Sequence, residues 1–138
     1  MSEENRCLAI RWFEEVWNAR REGIIDEVMT PSSIGHMEGK DVIGPGEFKT
    51  LRAELLAAFP DFRVTVEATA ADGDVVVVRW SACGTHLGQG LGVQATGATV
   101  AFRGMTWIVI RGGRFIEGWD AWNQGALMES LQAAARAN

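Results

Sequence analysis

The stretch GWDAWNQG, residues 118–125, sets a carboxylate between two tryptophans, with Asp120 one residue after Trp119 and two before Trp122. On an extended strand alternate residues share a face, so Ile116, Gly118, Asp120 and Trp122 point together, and Phe115, Glu117 and Trp119 point the other way. Asp120 then shares its side with a large apolar ring and with a glycine that leaves room beside it. Desolvation penalises an ionised carboxylate and raises its pKa toward the range in which one group can both take and return a proton. The same residue would equally suit the cap of a helix starting near Asn123, or the rim of a sheet. Periodicity alone leaves these readings level.

Other chemistries find less support. Cys7 and Cys83 are the only cysteines, and His36 and His86 stand in separate segments. A structural zinc site needs about four closely spaced Cys or His ligands, so no metal is expected. Both thiols read as small buried hydrophobes, without a disulfide. Cys83 with His86 is not expected to act as a thiolate pair, because Cys83 ends an apolar strand. Neither Ser32 nor Ser33 sits in a GxSxG elbow. The run GTHLGQGLGVQATG, residues 84–97, connects two strands rather than a strand and a helix. It therefore lacks the helix dipole that a phosphate loop requires and reads as a flexible or bulged connection. His36, in a polar glycine-bearing loop, is a candidate for the mouth of a pocket.

The elements that would position these residues follow from period and punctuation. With 138 residues the chain suits one domain, 1–138, with a real core. A net charge of −5 and no basic stripe argue against nucleic acid. No apolar run approaches the roughly 20 residues that cross a bilayer, and the polar start MSEENR is unlike a secretory signal, so a cytoplasmic protein is expected. Leu8, Trp12 and Val16 repeat at helical spacing after Ser2-Glu3-Glu4, and Gly23 suits the exit. Ile24 to Met29 make a short helix that stops before Pro31. Residues 46–59 carry Phe48, Leu51, Leu55 and Phe59 on one side, and Pro60 ends them.

The period then changes to two. Phe62, Val64, Val66 and Ala68 alternate with polar residues, DGD at 72–74 turns the chain, and 75–83 is apolar on both faces, as an interior strand would be. Residues 98–111 and 114–122 make two more strands around Gly112-Gly113, and Leu127, Met128, Leu131 and Ala135 mark a closing helix. Three helices, four antiparallel strands and a last helix predict an α+β fold, with a curved sheet wrapped around the helices and a hollow between the layers.

The run from GEF at 46–48 through FPDF at 59–62, DGD at 72–74, RW at 79–80, GTH at 84–86, TG at 96–97 and GWDAWNQG resembles the SnoaL-like polyketide cyclases. It also resembles their ester-cyclase relatives in the nuclear transport factor two-like superfamily. The resemblance spans nearly the whole chain. It implies an α+β cone with a deep apolar pocket, and an aspartate on the last strand, matched by Asp120, as acid/base for an intramolecular aldol closure without metal or cofactor. It places Thr106 where the anthracycline cyclases carry a pocket histidine, Asn123 in place of a second acid, and Gln94-Ala95 where a proline-containing element is usual. It also draws His86 into the site through the GTH motif.

The expected function is thus a cofactor-free enzyme acting on a hydrophobic carbonyl compound, with Asp120 as proton shuttle. Trp122, Phe102 and Ile108 would be its walls, and Thr106 or His86 the donor to a developing oxyanion. A non-catalytic module for an apolar small molecule, and a cofactor-free hydroxylase or isomerase, compete with it. The outward residues Phe115, Glu117, Trp119 and Ala121, with Met105, Trp107 and Val109 beside them, are too apolar for water and predict a homodimer through the outer sheet face.

Overall fold

A computed structural model describes residues 2–137. Helix α1 (Ser2–Arg11) runs into a π-helical segment (Trp12–Asn18), and α2 (Gly23–Val28) follows. Strands β1 (Met29–Met37) and β2 (Lys40–Ile43) precede α3 (Gly44–Ala58). Then come β3 (Arg63–Asp72), β4 (Val75–Thr85), β5 (Thr99–Arg111), β6 (Arg114–Trp122) and α4 (Gln124–Ala137). The α+β class and the four long strands agree with the periodicity.

The sheet is larger than the pattern predicts. It has six strands in the order β2-β1-β6-β5-β4-β3, and β1 runs parallel to β6, so it is mixed rather than wholly antiparallel. The segment expected as a loop through His36 is strand β1. Its sequence, MTPSSIGHM, has proline, serines and glycine where strands favour branched and aromatic residues, so the propensity signal is silent. What makes it a strand is β6 lying alongside, with a register break between Met29 and Ile34 that accommodates Pro31.

The two hairpin turns read from the sequence form as expected. Gly73 between β3 and β4, and Gly112 with Gly113 between β5 and β6, all have positive φ, open to glycine without strain. Register shifts interrupt β3 between Val66 and Ala68, and β6 opposite Val109 and Ile110. Such bulges bend a strand and increase its twist, which lets the open sheet curve around the helices.

The core forms where the helical stripe meets the concave face. Trp12 packs on Phe48 of α3 at 5.0 Å and on Phe115 of β6 at 4.9 Å. The π-helical segment is pinned from two sides. Buried Arg52 donates from Nε to Val16 O at 3.1 Å. Asn18 makes a paired clasp with β3, donating to Val64 O at 2.8 Å and accepting from Val64 N at 2.9 Å. That clasp reproduces strand pairing on the sheet edge and satisfies groups otherwise left open.

Two expectations are corrected here. Cys7 and Cys83 are both exposed. On β4 the inward positions are Ala82 and Gly84, so alternation turns Cys83 outward. Phe115 does not belong to the outward set. The bulge at Ile116 exchanges faces at that point, and Phe115 is buried against Trp12.

Candidate functional site

Asp120 faces inward from β6, directly opposite Thr106 of β5 in the antiparallel register. The Thr106 hydroxyl donates to Asp120 Oδ1 at 2.5 Å, and Thr106 Oγ1 in turn accepts the Trp80 indole N–H at 2.9 Å. Trp80 comes from β4, one strand further along. The three side chains lie in a row across the concave face because Gly104 of β5, paired with both Trp80 and Trp122, keeps that face free of a side chain.

The row ends in an apolar cavity of about 210 Å³ whose wall includes Phe13, Trp17, Phe48, Phe102, Trp122 and Leu127. Phe102 and Trp122 stack at 4.8 Å and 27° to form one continuous wall. A side lobe of about 90 Å³ shares Thr106 and Asp120 with the main cavity and is lined by Ile108 and Phe115. Asp120 thus stands where two hollows meet, enclosed by protein yet reachable from the cavity. Burial pushes its carboxyl up to about 6, against the opposing hydrogen bond from Thr106, and the charge of Glu38 adds to the rise. A carboxyl of that strength, lining the cavity with only Oδ1 taken by Thr106, can exchange a proton with a bound molecule near neutral pH.

The sequence-derived candidates separate into two groups. Asp120, Thr106, Trp122, Phe102 and Ile108 come together at the cavity. The two histidines do not. His36 lies on β1, its ring stacked on Trp119 at 5.0 Å, with Nδ1 bonded to Asp41 at 2.8 Å and Nε2 to Glu117 at 2.6 Å. That cluster is on the convex side of the sheet, so His36 is not at a pocket mouth. His86 is fully buried beneath the β4–β5 connection, against Phe59 at 5.5 Å. Its Nδ1 pairs with Thr96, and its Nε2 finds no partner among the described residues. The GTH and TG elements therefore meet each other instead of the cavity, with Gly97 N donating to His86 O at 2.8 Å.

Sequence reasoning missed residues at the cavity rim. Glu38 and Lys40 flank the tight β1–β2 turn, Glu54 comes from α3, Gln124 from the start of α4, and Leu91 from the glycine-rich connection. Glu38 and Lys40 were hidden because their strand was unrecognised. Leu91 reaches the cavity because Gly88 and Gly90 press against the end of α3, where an added Cβ would meet Ala57 O and Ala58 Cβ. No group of three or more His, Cys, Asp or Glu suited to a metal ion occurs among the described residues, and none of their helices is long and apolar enough to cross a membrane.

Comparison with known proteins agrees with this architecture. A SnoaL-like polyketide cyclase family profile matches residues 7–131. A Jannaschia sp. CCS1 structure named for SnoaL-like polyketide cyclases aligns with a TM-score of 0.89 at 28% identity, over 96% of this chain and 94% of that one. AclR of Streptomyces galilaeus, provisionally assigned as a hydroxylase, aligns at 0.84 and 26% identity over 96% and 98%. A provisionally assigned polyketide cyclase from Acidithiobacillus ferrooxidans aligns at 0.81 and 25% identity over 95% and 96%. No curated protein matches the sequence. With its cone-shaped fold and a family match over nearly all its length, the chain belongs to the SnoaL-like polyketide cyclases.

Proposed function

We propose that the protein catalyses an acid/base rearrangement, an intramolecular aldol closure, of a hydrophobic carbonyl compound, with Asp120 as the proton shuttle. The observation that carries this reading is a carboxyl raised to about 6, held through Oδ1 by Thr106, that lines an aromatic-walled cavity. Ionised Oδ2 removes a proton from a carbon beside a carbonyl. The resulting enolate attacks a second carbonyl of the same molecule, and Asp120 returns the proton to the new alkoxide. Atoms balance without a further reactant, since the enolate is delocalised and the proton is conserved. Phe102 and Trp122 hold the substrate folded so that the reacting carbons meet. Because Thr106 already directs its hydroxyl proton to Asp120, protonated Asp120 itself is the donor to the new oxygen.

Asp120→Asn tests this reading. Turnover should fall by about 10²–10⁴ while the affinity for an apolar ligand is retained, since shape is kept and only proton exchange is lost. Full activity in that variant removes Asp120 from the chemistry. Retained binding with no turnover by either protein would favour a non-catalytic module. Hydroxylation is a second reading, favoured by the likeness to AclR. It would consume dioxygen, and an oxygen electrode separates it from cyclisation.

The reading extends to a homodimer. Met105, Trp107 and Trp119 are 53%, 49% and 41% exposed on the convex face, too apolar a group to be left in water. Exposed Arg79 and Arg103 lie toward the β4 side of this patch, and Glu117 and Asp41 toward the β2 side. A second copy turned about an axis along the strands sets basic edge against acidic edge. Sedimentation at micromolar concentration should give a dimer that Trp119→Arg splits. A monomer of about 15 kDa for the unaltered chain would end this proposal.

A further inference from the structure

The cavity wall contains a donor that the proposed chemistry leaves without a role. Trp80 is buried and its ring lines the cavity, so its bulk alone would suit a wall. Its indole N–H, however, is placed on one atom, Thr106 Oγ1, at 2.9 Å. That arrangement requires Gly104. A Cβ there would stand 2.7 Å from Trp80 Cζ2, 2.7 Å from Trp122 Cβ and 2.7 Å from Ala121 O. The indole therefore crosses β5 over a position that any side chain would block.

A threonine hydroxyl has one proton and two acceptor sites. With an N–H pointing at Oγ1, the hydroxyl is left to donate, and its acceptor is Asp120 Oδ1 at 2.5 Å. Donation into an oxygen also strengthens the bond that oxygen donates. We infer that Trp80 is a positioning residue for Asp120, acting through Thr106: its N–H fixes the direction of the hydroxyl, which holds Oδ1 and leaves Oδ2 as the proton-exchanging atom. This deepens the reading of Asp120 as the proton shuttle and rests on it.

The relay has a direction. A hydroxyl committed to donating favours ionised Asp120 and opposes the rise caused by burial. The charged groups facing Asp120 around the cavity are Glu38 from the β1–β2 turn, Lys40 from β2 and Glu54 from α3, while the carboxylate of Glu117, on β6 itself, is turned to the other face by His36. All remain in place when Trp80 is changed.

The experiment is a double-mutant cycle read by NMR titration of the Asp120 carboxyl, which needs neither substrate nor turnover. Trp80→Phe keeps an aromatic wall and deletes the N–H. It should raise the Asp120 titration midpoint by about half to one pH unit, for which a three- to tenfold loss of kcat/KM is expected below the midpoint, fading by pH 8. Thr106→Val should raise the midpoint further. In the Thr106→Val background, Trp80→Phe should add nothing, because the atom through which it acts is gone.

An unmoved midpoint in Trp80→Phe overturns the inference. So does an equal shift with and without Thr106, which would mean that Trp80 acts by packing alone. A purely structural role would lower the melting temperature and reduce kcat/KM equally at every pH. If Asp120→Asn proves fully active while the titrations behave as described, the shuttle reading fails and the relay stands as a property of the site.

Discussion

Strand β6 carries two carboxylates three residues apart, and the sheet treats them in opposite ways. Asp120 faces the concave side, has one hydroxyl donor and a dry surround, and its carboxyl is raised to about 6. Glu117 bonds to the His36 ring at 2.6 Å within the cluster on the convex side, and that ring also bonds Asp41. Both imidazole nitrogens face carboxylates, which raises the pKa of the ring, first through Glu117 and then through Asp41. On one side the protein disfavours a negative charge by withdrawing water. On the other it gathers charges of both signs where water remains. Environment, more than residue type, suits one carboxylate to proton exchange and makes the other half of an ion cluster.

The contrast can be broken first at Asp120. Besides the loss of turnover, Asp120→Asn should stabilise the fold above pH 6. Below about 3.8 both the folded and the unfolded chain hold the proton, and the carboxyl contributes no difference. Between there and about 6 the unfolded chain has released its proton while the folded chain retains it, so stability falls as pH rises. The penalty is complete above 6, and removing it gains up to about 3 kcal/mol. Denaturant midpoints for the two proteins at pH 4 and pH 8 measure this, and an equal difference at both pH values would mean that Asp120 is not desolvated.

Thr106→Val sharpens the comparison with a smaller effect. Deleting the hydroxyl leaves the Trp80 N–H unpaired in the wall, at a cost of about 1–3 kcal/mol. If the proposed turnover depends on ionised Asp120, the acid limb of the pH–rate profile should then move upward, away from the position that about 6 sets for the unaltered protein. A limb that stays in place would mean that the hydroxyl does not act on the carboxyl.

The smallest effect is expected on the wet side. His36 has a raised pKa, so its ion pairs contribute fully below the ordinary histidine value and are lost as pH rises through the higher folded value. His36→Gln should flatten the pH dependence of stability in that window and leave kcat/KM unchanged. A change in kcat/KM would tie the convex cluster to the cavity.

Much of this molecule is legible from its residues. The alternation in the first half of β3, the apolar run of β4 and the turn glycines Gly73, Gly112 and Gly113 marked the long strands, because those signals are local. That Asp120 shares a face with Gly118 and Trp122 was legible for the same reason, since it depends on a period of two over a few residues, but periodicity alone did not decide that this face turns inward. The meeting of Thr106 with Asp120 was not local, and family resemblance placed Thr106 at the pocket without pairing it with Asp120. His36 was misplaced because β1 has no strand signal of its own. Phe115 was misplaced because one extra residue at Ile116 reverses the faces before it, and no composition marks such a bulge.

The four long strands, the tight turns between them and the presence of an acid beside large apolar rings belong to the chain itself, since each follows from neighbours in sequence. The parallel pairing of β1 with β6, the withdrawal of His86 from the cavity and the row from Trp80 through Thr106 to Asp120 exist only once the sheet has formed. Each joins residues that are distant in sequence, and the partner, not the segment, supplies the energy that holds it. Hydrogen-bond direction and desolvation are properties of surroundings, and the surroundings are made by the fold.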